Sequence, residues 1–235
     1  MRVILFLFVF ILFLNCEDKE SKKKMDRNAI ETNDTISKSV IEPTTEDIQI
    51  DFPVLDDKNA VPFFAKYDKD NKENKVRIST DFGDIDILLY NDTKYHRANF
   101  IYLTKRQYFD GTQFYRVIDN YIIQGGSSDD RETARKRNKI GRYLLPTDTN
   151  KGYKHHRGVI SMPSSDIDNP HKLASPYEFF IIQKHGGAHS LNGDYTIFGE
   201  VIKGMDVVDK IAAVETDDSD WPLQNIYIKK VEIIE

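Results

Sequence analysis

Arg116 and Gln124 are the two strongly polar side chains set within the strands of an otherwise apolar ribbon, FYRVIDNYIIQGG over residues 114–126. Two runs of β-branched and aromatic residues flank Asp119-Asn120, a pair suited to a two-residue turn, and Gly125-Gly126 ends the second run. Period-two alternation places Phe114, Arg116 and Ile118 on one face, and Ile122 with Gln124 on one face of the return strand. Taken alone, Arg116 reads as a snorkelling or ion-paired arginine on a half-solvated sheet. A chemical role for its guanidinium depends on what the rest of the chain builds around it.

Other candidate groups carry less. His185 and His189 are four apart, but Gly186-Gly187 between them argues against a helix that would align them, so no metal site is expected. His155-His156 lies in a charged stretch and reads as surface. Ser21-Lys22-Lys23-Lys24 has an S-x-x-K spacing in a segment too polar to build a pocket. Cys16 is the single cysteine, so no intramolecular disulfide forms.

The elements that must position the ribbon are short. Val76–Thr80 and Ile85–Tyr90 read as a hairpin around Asp81-Phe82-Gly83-Asp84, and Tyr95–Arg106 as a helix that Asp92 or Thr93 could cap. Ser127–His156 reads as a long charged loop in which Arg131, Arg135, Lys136, Arg137 and Lys139 form a solvated basic run. Gly158–Met162, Glu178–Gln183 and Thr196–Ile202 follow as strands, Gly204–Ala213 as a helix, and Asn225–Ile234 as the last strand. Eight short, mostly antiparallel strands and two helices imply a mainly β fold: a closed eight-stranded barrel, filled by side chains and capped by the helices. With the interior full, a binding site lies on the outer face.

The amino-terminal quarter has a different character. Val3–Leu14 is an uninterrupted apolar run behind Arg2, too short for a permanent span and suited to a signal peptide over residues 1–15. Cys16 follows almost at once, as in a bacterial lipoprotein signal, which would anchor the chain to a membrane through lipid on Cys16. Asn15 departs from the small residue usual before that cysteine. Residues 16–58 are polar and lack a sustained period, so they read as a disordered tether, with a lead-in helix or loop over 59–75. The envelope, facing the periplasm or the exterior, is the expected location. The net charge of −5, from 33 basic and 38 acidic residues, gives no general attraction to nucleic acid.

From Val76 to Glu235 the sequence resembles the cyclophilin family of peptidyl-prolyl cis-trans isomerases. FYRVIDNYIIQGG is similar to that family's FHRVI…F-M-x-Q-G-G block, Gly158–Met162 to its G-x-x-S-M strand, and Glu178–Ile181 to its Q-F-F-I strand. Leu191-Asn192-Gly193 with Ile197–Val201 is similar to its L-D-G…V-F-G-x-V segment, and Gly204–Val208 to the start of its second helix. The resemblance implies the barrel already inferred, a monomer acting on proline-containing polypeptides, and no cofactor. It implies Arg116 as the catalytic arginine and Gln124 as the glutamine that orients substrate and arginine. Tyr121, Ile122, Phe180 and Leu191 would wall the proline pocket, with Met162 at its rim and Pro163 and Ser164 where substrate backbone runs.

Departures carry expectations of their own. Glu178 stands where the family usually has glutamine on the binding face, and a carboxylate there could pair with Arg116 or repel acidic substrates. Tyr195 replaces a histidine at the pocket edge, and Ile122 replaces a methionine, which stiffens the pocket. Ser190 stands where cyclosporin-sensitive members carry a tryptophan, implying weak cyclosporin binding. The principal alternative to an isomerase assisting the folding of exported proteins is a binding module of the same fold with little turnover. A surface adhesin or assembly factor working through the basic stretch and the tether is a third.

Overall fold

The computed structural model describes residues 52–164 and 169–235. Cys16, the apolar run Val3–Leu14 and residues 16–51 of the expected tether lie outside the described residues. Within residues 52–58, assigned on sequence to the tether, Leu55 is fully buried and Phe52 lies edge-on to Tyr102 at 5.2 Å, while the other residues are exposed.

Along the described chain come strand β1 (Leu55–Asp56), helix α1 (Ala60–Asp70), β2 (Lys75–Thr80), β3 (Gly83–Leu89), α2 (Lys94–Lys105), β4 (Gln113–Ile118) and β5 (Ile122–Ser127). Then come α3 (Arg131–Ile140), β6 (Gly141–Arg142), β7 (Val159–Ser161), β8 (Phe179–Ile182), β9 (Ile197–Lys203), α4 (Met205–Ala212), β10 (Ile226–Tyr227) and β11 (Lys230–Ile233). Nine of the strands form one antiparallel curled sheet in the order β10-β4-β5-β8-β7-β9-β3-β2-β11. The fold is mainly β, as expected, with one correction. The last strand is not continuous: β10 pairs with β4 at one edge and β11 with β2 at the other, so the closed eight-strand ladder becomes a nine-stranded half-barrel. Chain continuity through Ile228 and Lys229 joins the two edges, because Ile228 N–H donates to Thr112 O at 2.8 Å and Lys229 N–H to Ser79 O at 2.9 Å.

The interior follows the alternation of β2 and β3, with Val76, Ile78, Ile85 and Ile87 wholly buried. Against it lies α2, buried from His96 to Thr104 on every side, so it behaves as a core helix rather than an amphipathic lid. Thr93 occupies its N-cap position, but its side chain makes no capping bond. Arg97 of α2 forms a buried ion pair with Asp68 of α1, and Phe63 and Tyr67 pack on Tyr102 at 5.2 and 5.4 Å.

Among the described residues there are four α-helices, not two. The lead-in forms α1. The stretch Ser127–His156, expected to be a loop, contains α3, because Asp130 caps it by accepting from Thr133 N at 2.7 Å and Ile140 is buried beneath it. Its basic run is only partly solvated: Lys136 donates to Asp110 O at 2.6 Å, and Arg137 reaches Ser127 at the end of β5. Immediately after α3, Gly141 pairs with Leu55 in a two-stranded parallel ladder. Its φ is +130°, and a Cβ there would lie 1.9 Å from Leu55 O. Gly141→Ala is therefore expected to cost about 3 kcal/mol, read from the denaturant midpoint, since it combines a strained backbone with a clash against backbone. An unchanged midpoint would show that the β1–β6 pair contributes nothing.

Candidate active site

The ribbon that carries Arg116 folds as a hairpin with two departures from simple alternation. Its turn has three residues, Asp119, Asn120 and Tyr121, between the paired Ile118 and Ile122, with Asn120 at φ +50°. More consequentially, a β-bulge lies between Phe114 and Arg116: Phe114 pairs with Gly125 and Arg116 with Gln124, leaving Tyr115 as the extra residue. The bulge reverses the facing of the side chains. Phe114 points into the barrel core, while Arg116 and Ile118 lie on the outer face, so the expected shared face of all three is corrected.

Register then assembles the site. Arg116 pairs with Gln124, Gln124 with Phe180 and Phe180 with Ser161, one transverse row across β4, β5, β8 and β7. A second apolar cluster, distinct from the barrel core, lies on this outer face, with Ile122, Val159, Phe180, Ile182 and Ile197 buried in it. Above it a cavity of about 270 Å³ is lined by Arg116, Tyr121, Ile122, Gln124, Pro163, Ser164, Phe180, Leu191 and Tyr195. The 3-10 turn His189–Leu191 delivers Leu191, and Tyr195 meets Phe180 edge-on at 5.5 Å. A cup with Ile122, Phe180 and Leu191 in its wall thus carries a guanidinium and a carboxamide side by side.

Two expected members are elsewhere. Met162 is buried in the barrel core, not at the rim, since inward-facing Ile160 and outward Ser161 set its parity. Glu178 does not line the cavity and does not pair with Arg116. Its carboxylate accepts from Tyr115 Oη at 3.1 Å and from Arg137 Nη2 at 3.3 Å.

Arg116 pairs with Asp220 instead, Nε donating to Oδ2 at 3.2 Å. Asp220 holds φ +64°, and its carbonyl accepts from Val117 N–H at 2.8 Å, so the loop before β10 is fastened along the edge of β4. The acidic string around Asp220 gives no sign in sequence of this contact. His155 was also misread as surface. It is fully buried, its ring stacks on Phe180 at 6.1 Å and 12°, Asn192 Oδ1 lies 3.0 Å from Nδ1, and Ser161 Oγ lies 3.1 Å from Nε2. Asn192 Oδ1 can only accept, so Nδ1 carries the proton and Nε2 accepts from Ser161. Burial lowers the His155 pKa, partly opposed by Asn192, and the neutral ring braces the back of the aromatic wall.

A profile described as cyclophilin type peptidyl-prolyl cis-trans isomerase matches residues 75–233, which include every strand of the half-barrel and every residue that lines the cavity. The chain belongs to the cyclophilin family. A peptidyl-prolyl cis-trans isomerase-like 3 of Dictyostelium discoideum is 34% identical over 160 residues, 67% of this chain and 94% of that one. A peptidyl-prolyl cis-trans isomerase-like 2 of Rhizopus delemar is 34% identical over 169 residues, but the match spans only 30% of that longer protein. The crystal structure of a Cryptosporidium parvum cyclophilin type isomerase in the presence of the dipeptide Ala-Pro superposes with a TM-score of 0.57 at 29% identity, covering 68% of this chain and 99% of that one. Cyclophilins are an enzyme family, and the cup with its guanidinium is this member's candidate catalytic surface.

Proposed function

We propose that the domain, as a monomer, isomerises X-Pro bonds in exported polypeptides, with Arg116 and Gln124 at the reacting amide and the cavity gripping the proline ring. The observation that carries this reading is the row Arg116, Gln124, Phe180 along one wall of a cup that also presents Ile122 and Leu191. Rotation about an X-Pro bond must break amide resonance against a barrier of ~18–20 kcal/mol. In the twisted state the prolyl nitrogen regains its lone pair. A guanidinium that donates to it stabilises that state more than either planar one, which is the condition for acceleration. Arg116 gives its Nε to Asp220, so donation to substrate falls to its two terminal amino groups. Ile122, Phe180 and Leu191 hold the ring while the preceding residue rotates, and they keep out water, which favours the planar, polarised amide. The relative crystallised with Ala-Pro supports the same substrate class.

Exchange spectroscopy on an Ala-Pro peptide tests the reading: millisecond exchange is expected where the free peptide takes tens of seconds or more. Binding without exchange would favour the binding-module alternative. The location is inferred from the apolar run Val3–Leu14 and Cys16, which fit a lipid anchor in the cell envelope. In a bacterial host fed a labelled fatty acid, label is expected on the wild-type chain and absent from Cys16→Ala. Equal label on both, or none on either, would remove the anchor.

A further inference from the structure

A continuous hydrogen-bonded chain runs from α3 to the cavity. Arg137 donates to Glu178 Oε1, Tyr115 donates to Glu178 Oε2, and Gln124 Nε2 donates to Tyr115 Oη. The far end is anchored on β5 and its support. Arg137 Nε donates to Tyr108 Oη at 2.8 Å, Tyr108 Oη donates to Gly126 O at 2.9 Å, and Arg137 Nη2 donates to Ser127 Oγ at 3.0 Å. Tyr115 reaches Glu178 because it is the bulged residue, and Trp221 packs against its ring at 5.7 Å.

The polarity of this chain is forced. A carboxylate only accepts, so Tyr115 must spend its single proton on Glu178. Its oxygen can then only accept from Gln124, which must present its NH₂ and not its carbonyl. Burial, reinforced by the charge of Glu178, raises the Tyr115 pKa and keeps that proton in place. The Gln124 carbonyl is left for donors at the cavity, the Arg116 guanidinium or a substrate N–H.

We propose that Tyr115, Glu178 and Arg137 are positioning residues that fix the orientation of the Gln124 carboxamide. In this chain Glu178 thus acts behind the site and not upon the substrate. The inference rests on the reading that Gln124 works at the reacting amide.

The test is a set of double-mutant cycles on the full chain, with kcat and KM for an Ala-Pro peptide. Tyr115→Phe is expected to lower kcat about 5-fold with KM nearly unchanged. Glu178→Gln is expected to lower it about 3-fold, because a carboxamide can donate to Tyr115 and so lets the Gln124 amide turn over. In a Gln124→Ala background neither substitution should cost anything further, and the Gln124 side-chain NH₂ resonances should shift in both single variants. Additive losses with and without Gln124 would mean a merely structural role and overturn the proposal. So would unchanged rates in both single variants while Gln124→Ala loses activity. Full activity in Gln124→Ala would instead remove the role of Gln124 itself, and the positioning chain with it.

Discussion

Arg116→Ala is expected to lower kcat/KM for X-Pro isomerisation about 10²-fold while the domain stays folded. A charge-assisted hydrogen bond contributes about 1.5–3 kcal/mol, and 2.7 kcal/mol at the transition state is a factor of about 10². The fold should tolerate the change. The Arg116 side chain is 45% exposed and its partner Asp220 38%, so their ion pair contributes no more than about 0–1 kcal/mol to stability. Arg116→Lys should recover little. The planar fork of arginine can give Nε to Asp220 and still present two amino groups, whereas one ammonium cannot hold both positions. Peptide exchange together with a denaturation curve checks the expectation. Wild-type exchange in Arg116→Ala would end the proposed role of this guanidinium, whatever the domain binds.

How much of this could be read from the chain depended on whether the signal was local. The strands of the half-barrel were legible because β2 alternates cleanly and the others are short apolar runs bounded by turn residues, and the residues of the cup because five separated motifs fall in family order. Alternation failed at Tyr115, where a bulge adds one residue and reverses the facing of Phe114. No residue type announces a bulge of this kind, and the same blind spot hid the partner of Glu178, which the bulge brings within reach. A basic run read as solvated because its composition is polar, yet Arg137 lies against Tyr177 at 5.2 Å and Lys136 on backbone carbonyls. The neighbours of those side chains are supplied by the segment between α2 and β4, by β5 and by the segment before β8, none of them adjacent in sequence. His155 and Asp220 escaped for the same reason: each owes its role to long-range contacts at the site, His155 with Phe180 and Asn192, Asp220 with Arg116 and Val117.

Acid is expected to unfold this domain, chiefly through His96. Its ring is fully buried beside Phe198 at 6.3 Å, and neither ring nitrogen has a hydrogen-bond partner among the described residues. Burial alone pushes its pKa down from 6.5 to about 3. The sign follows from which state binds the proton. Below pH 6.5 the unfolded chain protonates and the folded one does not, so stability is complete above that pH and is lost as pH falls. At 1.36 kcal/mol per pH unit, the interval from 6.5 to about 3 corresponds to about 5 kcal/mol, comparable with the entire stability of an ordinary domain. Asp68, Asp86 and Asp209 have pKa values lowered by their cationic partners and add losses only near and below 3.8, so the window from pH 6.5 to 4.5 belongs to the histidines. His155, also lowered by burial, contributes in the same direction. Unfolding free energies at pH 7 and 4.5 should therefore fall by about 2–3 kcal/mol more in the wild type than in His96→Phe, which keeps an aromatic ring against Phe198 and cannot take up a proton. The comparison reads the slope with pH, so a packing cost of the larger ring, present equally at both pH values, does not disturb it. An identical fall in the two proteins would show that His96 is already solvated in the folded state, and that α2 is less deeply seated than its burial indicates.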